Sequence, residues 1–161
     1  MDGRLKYRGI EARRSDTPPI VKKMQLEILD KLAEAKDPEQ LREKALEAIE
    51  IYRGYARRLI LGDVSVKDLV ITQILSMDPN DYVVEARQAV AAKHLERAGI
   101  SVVPGQAITY VVAGTSGLSK AIPIQLIEEG SYKLESYLRI LERAACTIIT
   151  PILKSLKEAL A

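Results

Sequence analysis

The chain has 161 residues, with 24 Lys and Arg against 22 Asp and Glu, a hydrophobic fraction of 47%, one Cys and one His. This length and hydrophobic fraction suit one folded domain with a real core, and they argue against a disordered chain. One Cys excludes an intramolecular disulfide, and with a single His it excludes most Cys- and His-ligated metal sites. No apolar run approaches the roughly 20 residues of a membrane span, and the first residues lack a signal-peptide core. We therefore expect a soluble, cytoplasmic protein in a reducing compartment.

The charge is unevenly distributed along the chain. Residues 1–23 hold seven basic and three acidic residues, whereas the rest of the chain is slightly acidic. A local positive excess attracts polyanions even when the total charge is near zero, because association depends on the local field. Two interpretations stay open on charge alone: a polyanion-binding end, or a solvated basic face.

The first third of the chain predicts a strand, a loop and a helical hairpin. Residues 1–11 alternate as a short strand does, and residues 13–19 form a loop in which Asp16 or Thr17 caps the next helix. Apolar residues then recur at helical spacing from Ile20 to about Lys36, and again from Asp37 to Gly62. Because the connection is short, we expect the two helices to form an αα-hairpin.

The rest of the chain predicts a mixed lobe and a final helix. Strands are predicted at residues 69–75 and 107–112, with an edge strand at 121–127 that is interrupted by Pro123. A helix at residues 84–97 ends before Gly99, which is expected at the C′ position. The tail from Lys133 to Leu160 is helical, and Pro151 predicts a kink or break in it.

These elements predict an α+β fold that is mainly helical, with an αα-hairpin, a small antiparallel sheet and a C-terminal helix. We expect a single domain over residues 1–161. Its predicted parts are a basic strand and loop (1–16), a helical hairpin (17–62), a mixed α/β lobe (63–132) and a C-terminal helix (133–161).

Catalytic signatures are missing from the sequence. It contains no nucleophile elbow, no zinc-protease helix and no P-loop. His94 is predicted to be a surface residue and Cys146 a small core residue. The Gly- and Ser-rich segment 114–120 resembles a phosphate loop in composition, but a hairpin turn fits it better; Ser119 and Lys120 could still contact one phosphate each.

Four segments carry a family resemblance. Residues 7–19 read Y-R-G-I-E-A-R-R-S-D-T-P-P, and residues 69–82 read L-V-I-T-Q-I-L-S-M-D-P-N-D-Y. Residues 88–112 combine a helix, a Pro-Gly turn and the strand I-T-Y-V-V, and residues 119–153 combine a strand with a long helix. In this order they resemble the thumb subdomain of archaeal family B DNA polymerases, over nearly the whole chain.

The resemblance implies a protein that binds DNA but does not catalyse a reaction. In that family the catalytic aspartates belong to the palm, in motifs of the D-x-x-S-L-Y-P and Y-G-D-T-D kind, and neither motif occurs in this sequence. We therefore expect no catalysis by this chain alone and no cofactor, because the catalytic Mg²⁺ would be held by a separate palm.

The same resemblance implies contacts to the backbone of double-stranded primer–template DNA, and hence a nucleoid-associated location. Lys and Arg side chains would neutralise phosphates, and short polar side chains would bond phosphate or sugar oxygens without reading sequence. The implied DNA-contacting residues are Arg8, Arg13, Arg14, Ser15, Lys22, Lys23, Thr72, Gln73, Ser76, Lys93, Ser119 and Lys120.

Three departures from the family pattern predict weakened DNA contacts. Gln73 and Met77 stand where the family commonly has basic residues, and residues 86–88 replace its G-P-H. Two hypotheses follow from the resemblance. The first is a stand-alone thumb fragment or small subunit that supports DNA synthesis, in replication or repair, by a separate subunit carrying palm and fingers. The alternative is a thumb-derived protein-interaction module whose DNA contacts have decayed.

Overall fold

The computed structural model describes residues 16–82, 86–114, 117–128 and 131–160, with the side chains of residues 119 and 155–160 outside the description. Two compact units emerge. The helical unit comprises the described residues of Met1–Asp63 and Leu138–Ala161, and the sheet unit those of Val64–Tyr137. The predicted strand at residues 1–11 lies outside the described residues, and the expectation of a single domain stays a prediction.

The helical unit contains α1 (Pro19–Ala33), α2 (Pro38–Ile60) and most of α4 (Leu134–Leu160). Helix α2 begins as predicted, since the Asp37 carboxylate accepts a hydrogen bond from the Gln40 N–H at 2.8 Å and Pro38 occupies the first turn. The cap predicted for α1 is wrong: its N-cap is Pro18, without a side-chain hydrogen bond. The reason is steric, because a residue that precedes a proline is held extended, so the helix cannot begin before Pro19.

The core of the helical unit is built from the inward stripes of these helices. Gln25 of α1 is fully buried, and its Nε2 donates to the Ala144 carbonyl of α4 at 3.1 Å. The buried aliphatic and aromatic residues on the three helices include Ile20, Val21, Met24, Ile28, Ala45, Ala48, Tyr55, Leu59, Leu141 and Ile148.

The structure corrects two expectations for α4. Of the kink or break predicted at Pro151, the break is wrong, since the helix continues through this residue. Pro151 removes the donor for the Thr147 carbonyl, but both residues are exposed, so water can hydrate that carbonyl. Cys146 is exposed and not a core residue. The buried positions Ala144, Ala145 and Ile148 lie on the inner side of α4, and Cys146 falls outside their stripe.

The sheet unit holds three antiparallel strands in the order β1-β2-β3. They are β1 (Ile71–Ile74), β2 (Ala107–Val111) and β3 (Ile122–Pro123). Helix α3 (Arg87–Arg97) lies against β2 and β3. The edge position of β3 agrees with the prediction from Pro123, but this strand is much shorter than expected because the chain turns at residues 124–126. Gly99 has the positive φ of 85° expected of a C′ residue.

Tyr137, in the first turn of α4, stabilises the sheet unit from its interior. Its hydroxyl donates to the Leu69 carbonyl at 2.7 Å and accepts from the Val112 N–H at 3.0 Å. Its ring lies edge-on to that of Tyr132. Burial raises the pKa of the Tyr137 phenol far above its ordinary value. Within the described residues, no helix is long and apolar enough to span a membrane.

Candidate nucleic-acid interface

The twelve predicted DNA-contacting residues fall into three groups. Arg8, Arg13, Arg14 and Ser15 lie outside the described residues. Lys22 and Lys23 belong to the helical unit. The sheet unit contains Thr72, Gln73, Ser76, Lys93, Ser119 and Lys120.

Lys22 and Lys23 extend from the N-terminal part of α1. Lys22 is half-buried and Lys23 is exposed, between the buried residues Val21 and Met24. Both lysines follow the first turn of α1 and lie far from its last turn, where the helix dipole would favour a cation, so the dipole does not account for their positions.

Two threonine hydroxyls meet on one face of the sheet. Thr72 of β1 is paired directly with Thr109 of β2, and their Oγ1 atoms are 2.8 Å apart. Both side chains are half-buried, and Ile74 on the same face of β1 is 58% exposed. One of these hydroxyls donates its single hydrogen to the other, so the pair keeps one O–H in a fixed position on a partly open surface, where it can donate to an external oxygen.

Gln73 lies on the opposite face of the sheet from Thr72. It shares that face with the buried residues Ile71, Ile108 and Tyr110, and its Oε1 accepts a hydrogen bond from the Tyr110 hydroxyl at 2.5 Å. The structure therefore does not bring Thr72 and Gln73 together on one surface. A lysine at this position, as expected for the family, could not accept that hydrogen bond.

Ser76 follows β1 in an exposed loop and is fixed by Tyr82. The Tyr82 hydroxyl accepts from the Ser76 N–H at 3.0 Å and lies 3.1 Å from the Ser76 Oγ. The Asp78 carboxylate caps the short 3₁₀-helix Pro79–Asp81 between them by accepting from the Asn80 N–H at 2.9 Å. The loop is thus held by its own polar groups, and the Ser76 hydroxyl is oriented before any ligand binds.

Lys93 and Lys120 come from two neighbouring elements. Lys93 is on α3 and Lys120 ends the 3₁₀-helix Gly117–Lys120, which contacts α3. Both side chains are half-buried. A ring nitrogen of His94 forms a hydrogen bond with the Leu118 carbonyl across this contact. His94 is half-buried and not the surface residue predicted, because this hydrogen bond holds it between the two elements.

Strands β2 and β3 pair antiparallel, which agrees with a hairpin connection, although residues 115 and 116 of segment 114–120 lie outside the described residues. The backbone of Ser119 lies in the 3₁₀-helix of this connection. Sequence reasoning missed Thr109 and Tyr82, which orient the hydroxyls of Thr72 and Ser76. The sequence shows the alternation within each strand, but it does not show the register that places Thr72 opposite Thr109. Within the part of the chain that the structure describes, no group of three or more His, Cys, Asp or Glu residues could hold a metal ion.

Comparisons with known proteins agree on one family. The family model described as DNA polymerase family B matches residues 1–158. The DNA polymerase of Archaeoglobus fulgidus is 32% identical over 130 residues, which cover 80% of this chain and 16% of that protein. DNA polymerase 2 of Aeropyrum pernix is 32% identical over 141 residues, which cover 85% of this chain and 16% of that protein.

A solved structure shares the fold. The family B DNA polymerase from the hyperthermophilic archaeon Pyrobaculum calidifontis matches with a TM-score of 0.69 and 23% identity, over 83% of this chain and 18% of that one. The chain therefore spans less than a fifth of the length of each of these relatives.

Proposed function

Since the chain belongs to DNA polymerase family B, we propose that it is the thumb of such an enzyme, a stand-alone fragment or small subunit. It binds primer–template duplex DNA without sequence preference and supports synthesis by a separate subunit that carries palm and fingers. In this proposal the catalytic Mg²⁺ ions belong to the palm, and this chain transfers no nucleotide by itself.

The observation that carries the proposal is the pair of oriented hydroxyls along β1 and the loop after it. Thr72 is held by Thr109, and Ser76 is held by Tyr82. Short hydroxyl side chains of this kind bond phosphate and sugar oxygens, which fixes the position of a duplex without specifying its bases. Because their positions are already set by the fold, little side-chain freedom is lost on binding.

Positive charge supports the same role. Lys93 and Lys120 lie in neighbouring elements of the sheet unit, and Lys22 and Lys23 lie in the second turn of α1. Arg8, Arg13 and Arg14 belong to the same basic N-terminal segment in sequence. Each phosphate that these cations neutralise releases counterions, so the affinity should fall steeply with salt.

A titration of a fluorescent primer–template duplex tests the proposal. The double variant Arg13→Ala plus Arg14→Ala should bind about 10- to 100-fold more weakly, since two phosphate contacts are lost. A matched control is Arg139→Ala plus Arg143→Ala, which removes two exposed arginines from α4 and should bind nearly as tightly as the unaltered chain. Equal affinities of the two double variants would contradict the proposal.

A second candidate function is a protein-interaction module derived from a thumb. Exposed apolar residues near the end of β1 favour it, since Ile74 and Val103 are each 58% exposed and Met77 is 40% exposed. Gln73 also favours it, because its side chain bonds Tyr110 within the protein. A partner that copurifies with the chain and is released by Ile74→Lys, together with duplex binding too weak to measure, would support this function over the first.

A further inference from the structure

The outer face of α2 carries a pattern that the proposed DNA contacts do not include. Exposed residues recur there every three or four positions, which places them along one side of the helix. These are Leu46, Glu50, Arg53, Gly54, Arg57 and the C-cap residue Leu61. The dipole of α2 accounts for a cation at Arg57, near the C-terminal end. It does not account for the apolar residues, of which Leu46 is 53% and Leu61 73% exposed.

The described part of the fold does not explain Gly54. A glycine in a helix interior destabilises the helix relative to alanine. A Cβ added at Gly54 would meet no atom of the described residues within 4 Å, so none of their contacts requires a glycine at this position. A glycine on an open helix face does allow a second helix to approach closely.

The pattern is symmetric about a point between Arg53 and Gly54. Glu50 and Arg57 lie at equal distances on either side of this point, and so do Leu46 and Leu61. A face of this kind is complementary to itself when a second copy runs antiparallel, because each residue then meets its counterpart from the other half.

We propose that two copies of this chain associate through antiparallel α2 helices, with the twofold axis between Arg53 and Gly54. Leu46 of each copy packs against Leu61 of the other, which covers the exposed apolar side chains at both ends. Glu50 of each copy pairs with Arg57 of the other, and Gly54 lets the helices meet near the axis. Such rim-exposed ion pairs set orientation more than affinity.

The charges on this face are available for such pairing. Among residues 16–82, 86–114, 117–128 and 131–160, Arg57 has no ion-pair partner. Glu50 contacts Arg53 of its own helix, but a carboxylate can accept from two arginines at once. Two helices of this length bury on the order of 1,000 Å² in total, at the low end for a specific interface, so we expect a weak dimer.

Sedimentation of the full 161-residue chain, from about 1 μM to 1 mM, tests the pairing by charge reversal. Glu50→Arg places two arginines opposite each other in a self-pair, and Arg57→Glu does the same with two glutamates. Each variant alone should therefore remain monomeric at concentrations where the unaltered chain is dimeric. An equimolar mixture of the two should regain the dimer, because every cross-helix contact then joins opposite charges.

Two further variants distinguish an effect on the dimer interface from an effect on the stability of α2. Gly54→Leu replaces glycine with a better helix former in open space, so it should not lower the melting temperature, yet it should weaken the dimer at least tenfold by holding the helices apart. Arg42→Glu is the control, a charge reversal on exposed α2 surface away from the axis, and should leave the dimer unchanged.

Three results would overturn the proposal. One is an unaltered chain that is monomeric at 1 mM, and another is a mixture of Glu50→Arg and Arg57→Glu that stays monomeric. The third is a monomeric chain whose affinity for duplex DNA falls with Arg57→Glu, which would assign this face to nucleic acid.

Discussion

Two buried tyrosines, Tyr55 of the helical unit and Tyr137 of the sheet unit, use their hydroxyls differently. In the sheet unit, Tyr137 bonds two buried backbone groups, of Leu69 and Val112. In the helical unit, the Tyr55 hydroxyl donates to the exposed Glu27 carboxylate at 2.8 Å, and Arg58 lies over its ring. The Tyr137 hydroxyl therefore bonds groups that water does not reach, whereas the Glu27 carboxylate can be hydrated when the Tyr55 hydroxyl is absent.

The largest expected effect is the loss of the Tyr137 hydroxyl. Tyr137→Phe leaves a buried N–H and a buried carbonyl without their partner, which should lower the free energy of unfolding by about 3 kcal/mol. Tyr55→Phe should cost only about 1 kcal/mol, since Glu27 is exposed and regains water. Urea unfolding of both variants measures the difference; equal costs would contradict the contrast between the two tyrosines.

Alkaline pH should act on the same two tyrosines. Burial, followed by the hydrogen bond to Glu27, raises the pKa of Tyr55 to about 12, and burial raises the pKa of Tyr137 further. The unfolded phenols titrate near pH 10. Because the folded pKa is the higher one, the contribution of each phenol is complete below about pH 10 and falls above it; that of Tyr55 is lost as the pH rises through about 12, and that of Tyr137 at higher pH. Urea unfolding between pH 9 and 12 should show this fall, and Tyr55→Phe should make it shallower.

The smallest effects come from two glycines, one in each unit. Gly99 has a φ of +85°, so Gly99→Ala should destabilise the protein by about 1 kcal/mol although its surroundings are open. Gly54→Ala, within α2, should stabilise it by up to about 1 kcal/mol. Melting temperatures that shift in opposite directions for the two variants would confirm that backbone conformation, and not the space around the glycine, determines the change in stability.

Much of the fold could be predicted from local signals, and the site could be predicted only in part. Asp37, Pro38 and the apolar stripe of α2 specify that helix by themselves, and Gly99 marks the end of α3. The start of α1 was missed because Pro19 restrains Pro18. The prediction for Cys146 is wrong because the small residues around it do not show in sequence which side of α4 faces the core.

The interface shows the same division. Thr72 and Ser76 were predicted, but their partners Thr109 and Tyr82 depend on strand register and loop closure, which no local pattern encodes. In sequence, Gln73 stands for the loss of a basic residue that is common at this position in the family. The structure adds that Gln73 accepts a hydrogen bond from Tyr110, a role that exists only once β1 and β2 are paired.

The salt dependence of duplex binding tests the central claim most directly. Affinity should be measured between 50 and 200 mM salt for two duplexes of unrelated sequence. If the seven proposed cations each neutralise a phosphate, the logarithm of the binding constant should fall with the logarithm of salt at a slope of about −6, equal for both sequences. These cations are Arg8, Arg13, Arg14, Lys22, Lys23, Lys93 and Lys120. A slope near zero, or affinities that differ greatly between the two sequences, would contradict non-specific binding through the DNA backbone.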